Sequence, residues 1–166
     1  MATATVLSTP RLVLRPVTEA DSAVLLALWN DPVVRRGHGL GMQPLAEAAV
    51  VDWLREPGRA LAWIACERLQ GRPVGVVEMG GVEGAAESVF ELGIALSSQD
   101  RGLGYGPELV ERLCAWAFEA AGAAAVVAEV RLDNRAALRV FHASGFVDET
   151  VVGVVVRMRR PRPDAS

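Results

Sequence analysis

The octapeptide Arg101-Gly102-Leu103-Gly104-Tyr105-Gly106-Pro107-Glu108 restricts the fold more than any other stretch. It joins an apolar run with strand character, 89–96, to a run of helical periodicity over about 107–121. Glycines at alternate positions let the backbone approach a bulky anion with no Cβ in the way. The first turn of the following helix adds unpaired N–H groups and the positive end of a dipole. Such a strand-turn-helix suits a pyrophosphate; without a ligand it would be only a tight connection. Neither familiar phosphate loop is present. No Gly-Lys-Ser/Thr follows, and the glycine spacing is not that of a dinucleotide fold. Pro107 fits the first helical position.

The flanking pattern extends this unit into one domain. Leu12-Val13-Leu14-Arg15-Pro16 reads as a first strand. Thr18-Glu19-Ala20-Asp21 has capping-box form, and the helix it opens carries Val24, Leu25 and Leu28 and stops near Asp31-Pro32. Residues 35–42 hold three glycines and read as a mobile loop. A second helix starts at Pro44, runs through Val50, Trp53 and Leu54, and closes at Pro57-Gly58. Strands follow at 61–66, 73–79 and 89–96, then the 107–121 helix. A strand at 124–132, a helix at 134–144 stopped by Gly145, and a last strand at 151–158 complete the order. The expected architecture is one α/β domain spanning 1–166, with its core at about 9–158 and a flexible tail at 159–166. A single mixed sheet flanked by about four helices is the economical packing.

Composition removes several function classes. A net charge of -3 lacks the basic excess of nucleic-acid binders. Cys66 and Cys114 are far apart, with no CxxC and no histidine pair, so neither a disulfide framework nor a metal site is indicated. The N-terminus lacks the pattern of a secretory signal, and no apolar run has membrane-spanning length. The expected location is the cytoplasm. All 17 basic residues are arginine, so an amine-modifying enzyme of this sequence could not modify its own side chains.

Arg101-x-x-Gly104-x-Gly106 resembles the pyrophosphate signature of the GNAT acetyltransferases, Arg/Gln-x-x-Gly-x-Gly/Ala. Asn134-x-x-Ala137-x-x-x-Phe141-x-x-x-Gly145-Phe146 is similar to the second signature of that superfamily. Thr9 to Pro16, Asp31-Pro32 and Glu91-Leu92-Gly93-Ile94 resemble its Rim-type branch, which modifies ribosomal-protein N-termini and includes many amine and antibiotic acetyltransferases. The likeness runs from about Thr9 to Met158. It implies a GNAT fold with a largely antiparallel mixed sheet splayed at the cofactor site, acetyl-CoA as donor, and a primary amine as acceptor; a homodimer is common in the family.

The resemblance also implies roles. Backbone amides of Arg101, Gly102, Leu103, Gly104, Tyr105 and Gly106 would hold the pyrophosphate. The strand at Ile94, Ala95 and Leu96 would pair with the pantetheine arm, and Asn134 would contact that arm or the thioester. Arg139 reads as an exposed helical arginine. Phe141 stands where the family commonly has the tyrosine acid, and a short segment after Phe146 trims a wall of the acceptor cleft. The resemblance leaves two alternatives open: a catalytically weak acyl-CoA sensor, or a transferase for a longer acyl group.

The reaction needs a base, since a primary amine with a pKa near ~10 is mostly ammonium at neutral pH. Glu78 and Glu91 each interrupt an apolar strand. A hairpin centred on Gly84-Ala85 would set them opposite each other, where paired carboxylates raise one pKa. Otherwise they simply face solvent. His142 and His38 read as surface and loop residues. Trp29, Trp53, Trp63 and Trp116 read as core.

Overall fold

The computed structural model describes residues 4–41, 43–56 and 60–164. In chain order these form β1 (Leu7–Ser8), β2 (Leu12–Pro16), α1 (Ser22–Asn30), α2 (Pro32–Gly37), α3 (Glu47–Arg55), β3 (Leu61–Glu67), β4 (Pro73–Gly81), β5 (Val89–Leu96), α4 (Tyr105–Glu119), β6 (Ala125–Arg131), α5 (Arg135–Ala143), β7 (Val147–Val152) and β8 (Val155–Pro161). The strands belong to one eight-stranded sheet in the order β1-β2-β3-β4-β5-β6-β8-β7. β5 and β6 are parallel, whereas β2–β3, β6–β8 and β7–β8 are antiparallel. The α/β expectation therefore holds, with a mixed sheet. Backbone contacts divide the described chain into two compact units.

The unit formed by 4–78 and Ile94–Leu103 packs α1, α2 and α3 around Leu25, Leu28, Trp29, Val34, Val50, Ile64, Val76 and Ala95. Trp29 and Trp53 meet edge to face at 4.7 Å. Trp63 is fully buried and its indole N–H donates to Thr5 O at 2.8 Å. The Thr18–Asp21 box forms: Thr18 N–H donates to Asp21 Oδ2 at 2.8 Å, opening a one-turn 3-10 helix at Glu19–Asp21 before α1.

Three local expectations are corrected in this unit. Asp31-Pro32 ends α1 but also starts α2. The Asp31 carboxylate accepts from Val33 and Val34 N–H at 2.9 and 3.2 Å, and Pro32 needs no partner as the first helical residue. The reading of 35–42 as a loop therefore fails over 35–37, which are helical. The segment beyond α2 is laced by buried Arg35, which donates to Leu40 O at 2.8 Å, Gly41 O at 2.9 Å and Gln43 O. α3 begins at Glu47 rather than Pro44. Met42 and the stop at Pro57-Gly58 lie outside the described residues.

The other unit, Met79–Gly93 with 104–164, packs α4 and α5 on its strands. Leu109 and Leu113 are fully buried, each contributing about 1.5–3 kcal/mol through burial. Trp116 stacks edge to face on Phe90 at 6.1 Å. The single last strand expected at 151–158 is a hairpin, β7–β8, turning at Gly153, whose φ is +58°. The tail expected from 159 onward is also corrected. β8 runs to Pro161, where Arg159 pairs with Glu87, and Arg160 with Glu111 at 2.9 Å. Cys66 and Cys114 are buried free thiols. No helix among the described residues is long and apolar enough to cross a membrane. Among the described residues, no cluster of His, Cys, Asp and Glu could hold a metal ion.

Candidate active site

Three arginines fix the glycine turn and the residue before it. Arg72 donates to Asp100 at 2.7 and 3.0 Å while also bridging to Glu67. That guanidinium, against the opposing effect of burial and with help from the Ser97 hydroxyl, keeps the buried Asp100 carboxyl below its ordinary pKa. Arg101 donates to Asp31 Oδ1 at 2.7 Å and to Leu96 O at 3.1 Å. Arg11 donates to Leu103 O at 2.8 Å. These bonds consume side chains and carbonyls along the turn.

Gly102 and Gly104 take φ of +75° and +82°, a left-handed region that favours glycine. Gly104 is the N-cap of α4 and provides no side-chain cap, and a Cβ added at Gly102 would meet no atom within 4 Å. Gly106 lies at ordinary contact distance, 3.6 Å from Val140 for an added Cβ. Tyr105 is buried, and Leu103 is exposed. Pro107 occupies the third helical position, not the first, because α4 opens at Tyr105.

The β5 strand pairs with β6 over Val89–Glu91 only, although it continues to Leu96. Glu91 is exposed at the last paired position, opposite buried Val127 and on the same face as buried Val89. Its side chain reaches solvent, yet surrounding protein desolvates it, and that crowding followed by the Glu129 carboxylate pushes its pKa up; Arg157 opposes. Arg157 itself lies 3.6 Å from Glu129 and 3.3 Å from Glu149. The expected partner is wrong, however. Val82 N–H donates to Val89 O at 2.8 Å, which moves the hairpin centre one residue beyond Gly84-Ala85. Continued along the strands, this register sets Gly80, not Glu78, opposite Glu91. Glu78 is half-buried on β4. The charged neighbours missed by sequence reasoning, Glu129 and Arg157, come from strands whose register no local pattern reveals.

Asn134 and Phe141 have local explanations. Asn134 is the N-cap of α5, its Oδ1 accepting from Ala137 N–H at 3.1 Å. At the other end Gly145 has φ +80°. Gly145 N–H donates to His142 O at 3.1 Å and Phe146 N–H to Phe141 O at 3.0 Å, the bonds of a Schellman stop. Phe141 and Phe146 seal it edge to face at 5.0 Å. His142 is exposed and contacts Asp148 at 2.8 Å; Arg139 is exposed.

This strand-turn-helix with a half-paired strand before it is that of a known class. Residues 11–147 match the model of the acetyltransferase (GNAT) domain, and the chain belongs to that family of acetyltransferases. It is 25% identical over 154 residues to the uncharacterized N-acetyltransferase YoaA of Bacillus subtilis, covering 89% of this chain and 85% of that one. Among solved structures, a GNAT-family acetyltransferase from Bacillus anthracis superposes with a TM-score of 0.81 at 14% identity, covering 95% of this chain and 98% of the other. Spermidine N-acetyltransferase from Vibrio cholerae, in complex with CoA and spermine, gives 0.75 at 18% identity, with coverage of 91% and 95%.

Proposed function

We propose that this acetyltransferase uses acetyl-CoA as donor and a primary amine of a small cationic molecule or a peptide N-terminus as acceptor, in direct transfer within a ternary complex. The observation that carries the reading is the turn 101–106. Arg11 ties back its Leu103 carbonyl, Asp31 holds its Arg101 side chain and Arg72 fixes Asp100 just before it, while the space beside Gly102 is open and the helix start has no side-chain cap. That is a fit for a pyrophosphate. The Ile94–Leu96 segment offers an edge for the pantetheine arm. The Rim-type likeness of Thr9–Pro16 and Glu91–Ile94 supports an amine acceptor, as does the spermine held by the similar Vibrio enzyme.

Bound acetyl-CoA supplies the activated acyl group, whose C–S bond breaks as the C–N bond forms. The chain's own part is proton transfer and charge. Glu91, with its raised pKa, takes a proton from the ammonium directly or through water. Glu129 nearby favours a cation and sustains that raised pKa. Glu78, half-buried on β4, is the second candidate carboxylate, with a weaker expected effect. Release of CoA thiol, measured at fixed acetyl-CoA across a panel of amines, tests the reading. Glu91→Gln is expected to lower kcat about 10²–10⁴-fold, the usual worth of a general base, with little change in KM for acetyl-CoA. A group with a raised pKa stays protonated to higher pH. Wild-type kcat therefore falls as pH drops through a limb above the ordinary carboxylate range, and Glu129→Gln moves that limb to lower pH. Wild-type turnover in Glu91→Gln would remove Glu91 from the mechanism.

A further inference from the structure

The edge of β5 is not bare. Ser97 N–H donates to Val74 O at 2.9 Å, and a Cβ on Gly75 would stand 2.4 Å from Ala95 O. Ser97 and Ala95 thus turn their backbone toward β4. Backbone groups alternate between the two edges along a strand, so Ile94 and Leu96 turn theirs to the opposite edge. Both carbonyls there are taken by side chains. Leu96 O accepts from Arg101 Nη2 at 3.1 Å, and Ile94 O lies 3.2 Å from His38 Nε2. A carbonyl only accepts, so Nε2 carries the proton.

The two caps of one helix stand behind these contacts. Asp31, the N-cap of α2, holds Arg101; His38 is the C-cap of the same helix. α2 therefore braces the open edge at two points, and the two differ in strength. The Arg101 contact is a charge-assisted pair at 2.7 Å with a carboxylate that is itself fixed by two N–H groups. The His38 contact is a single bond from an exposed side chain. Gly39, at φ +64° with open space where a Cβ would be, comes directly after it.

We propose that His38 is a positioning residue that shields the Ile94 edge in the free protein and yields it to the pantetheine arm. The inference rests on the donor reading above. An added strand runs about 4.8 Å from the one it joins, and an imidazole bonded to Ile94 O stands inside that strip. Donor binding therefore turns the ring away, a cheap rotation for an exposed side chain. The arm's own amide then replaces the bond. Until that happens the edge is covered against other chains, as exposed strand edges commonly are.

Calorimetric titration with two probes tests this: CoA, and adenosine 3′,5′-bisphosphate, the nucleotide end of CoA without the arm. His38→Ala is expected to tighten CoA binding about two- to tenfold, the worth of one net hydrogen bond, and to leave the bisphosphate unchanged. His38→Gln, whose amide also donates, falls between His38→Ala and wild type. In wild type the His38 ring resonances shift on adding CoA and stay put with the bisphosphate. CoA affinity unchanged or weakened in His38→Ala, with bisphosphate binding intact, overturns the proposal. Failure of wild type to bind CoA is a different result, overturning the donor reading and this inference with it.

Discussion

The two glycine-bearing motifs, 101–106 and 134–146, look alike as sequence but have different physical standing. In the second, the distinctive residues find partners within the motif itself. Asn134 caps the start, Gly145 takes the left-handed stop, and Phe141 meets Phe146 across it. These contacts are all local to the motif. In the first, Gly102 and Gly104 take left-handed conformations, and the helix start they lead to has no side-chain cap. Arg11 and Arg101 brace the turn and Arg72 the residue before it. On the reading proposed above, that uncapped helix start is where an anion would be held.

This contrast predicts separable effects. Phe146→Ala removes a ring that is 2% exposed and should cost about 3–5 kcal/mol in stability, read by denaturant midpoint. Donor affinity per folded molecule should stay near wild type. A variant that keeps its stability but loses CoA would place the second motif in the site and break the comparison. Gly104→Asp should do the opposite. Aspartate is among the few residues that tolerate a left-handed conformation, so the fold survives, but a carboxylate then faces the anion site. The rise in Tm with CoA or acetyl-CoA, equivalent to about 2.7 kcal/mol at a hundredfold excess over Kd, should vanish. ATP and NAD should give no such rise in wild type; an equal rise with ATP would sink CoA specificity.

The features legible in the sequence were those written in adjacent residues. The Thr18–Asp21 box, the Asn134 and Gly145 caps and the strand-turn-helix at 101–106 are local, and all form. Asp31-Pro32 misled because the same pair that ends one helix can cap the next, and α2 is too short to show a period. The β7–β8 hairpin hides in Val151-Val152-Gly153-Val154-Val155-Val156, where one glycine is the whole turn signal. Long-range partners were beyond reach altogether. Arg72–Asp100, Arg101–Asp31 and His38–Ile94 join residues 28, 70 and 56 positions apart. The Glu78–Glu91 pairing failed on a one-residue displacement of a hairpin centre, since register depends on the turn as well as on the strands.

The smallest effect is the sharpest test of the comparison. If Phe141 belongs to the helix stop and not to the chemistry, the enzyme works without a side-chain acid at that position. Loss of such an acid is tolerable here because the leaving group is a thiolate, whose parent thiol has a pKa of about 8.5. It departs near neutrality with little help. Phe141→Tyr should therefore raise kcat by less than tenfold, under about 1.4 kcal/mol. It should also lower stability slightly, because a hydroxyl enters a site that is 7% exposed and packed against Phe146. Wild-type kcat should climb through the Glu91 limb and then stay flat. A descending alkaline limb would point to another proton source, either exposed His142 or Cys114, whose thiol burial pushes up to about 11. Turnover that appears only after Phe141→Tyr would show that the wild-type chain holds acyl-CoA without transferring it. The second motif would then have lost a catalytic group to packing, and its self-sufficiency would mark a sensor instead of an enzyme.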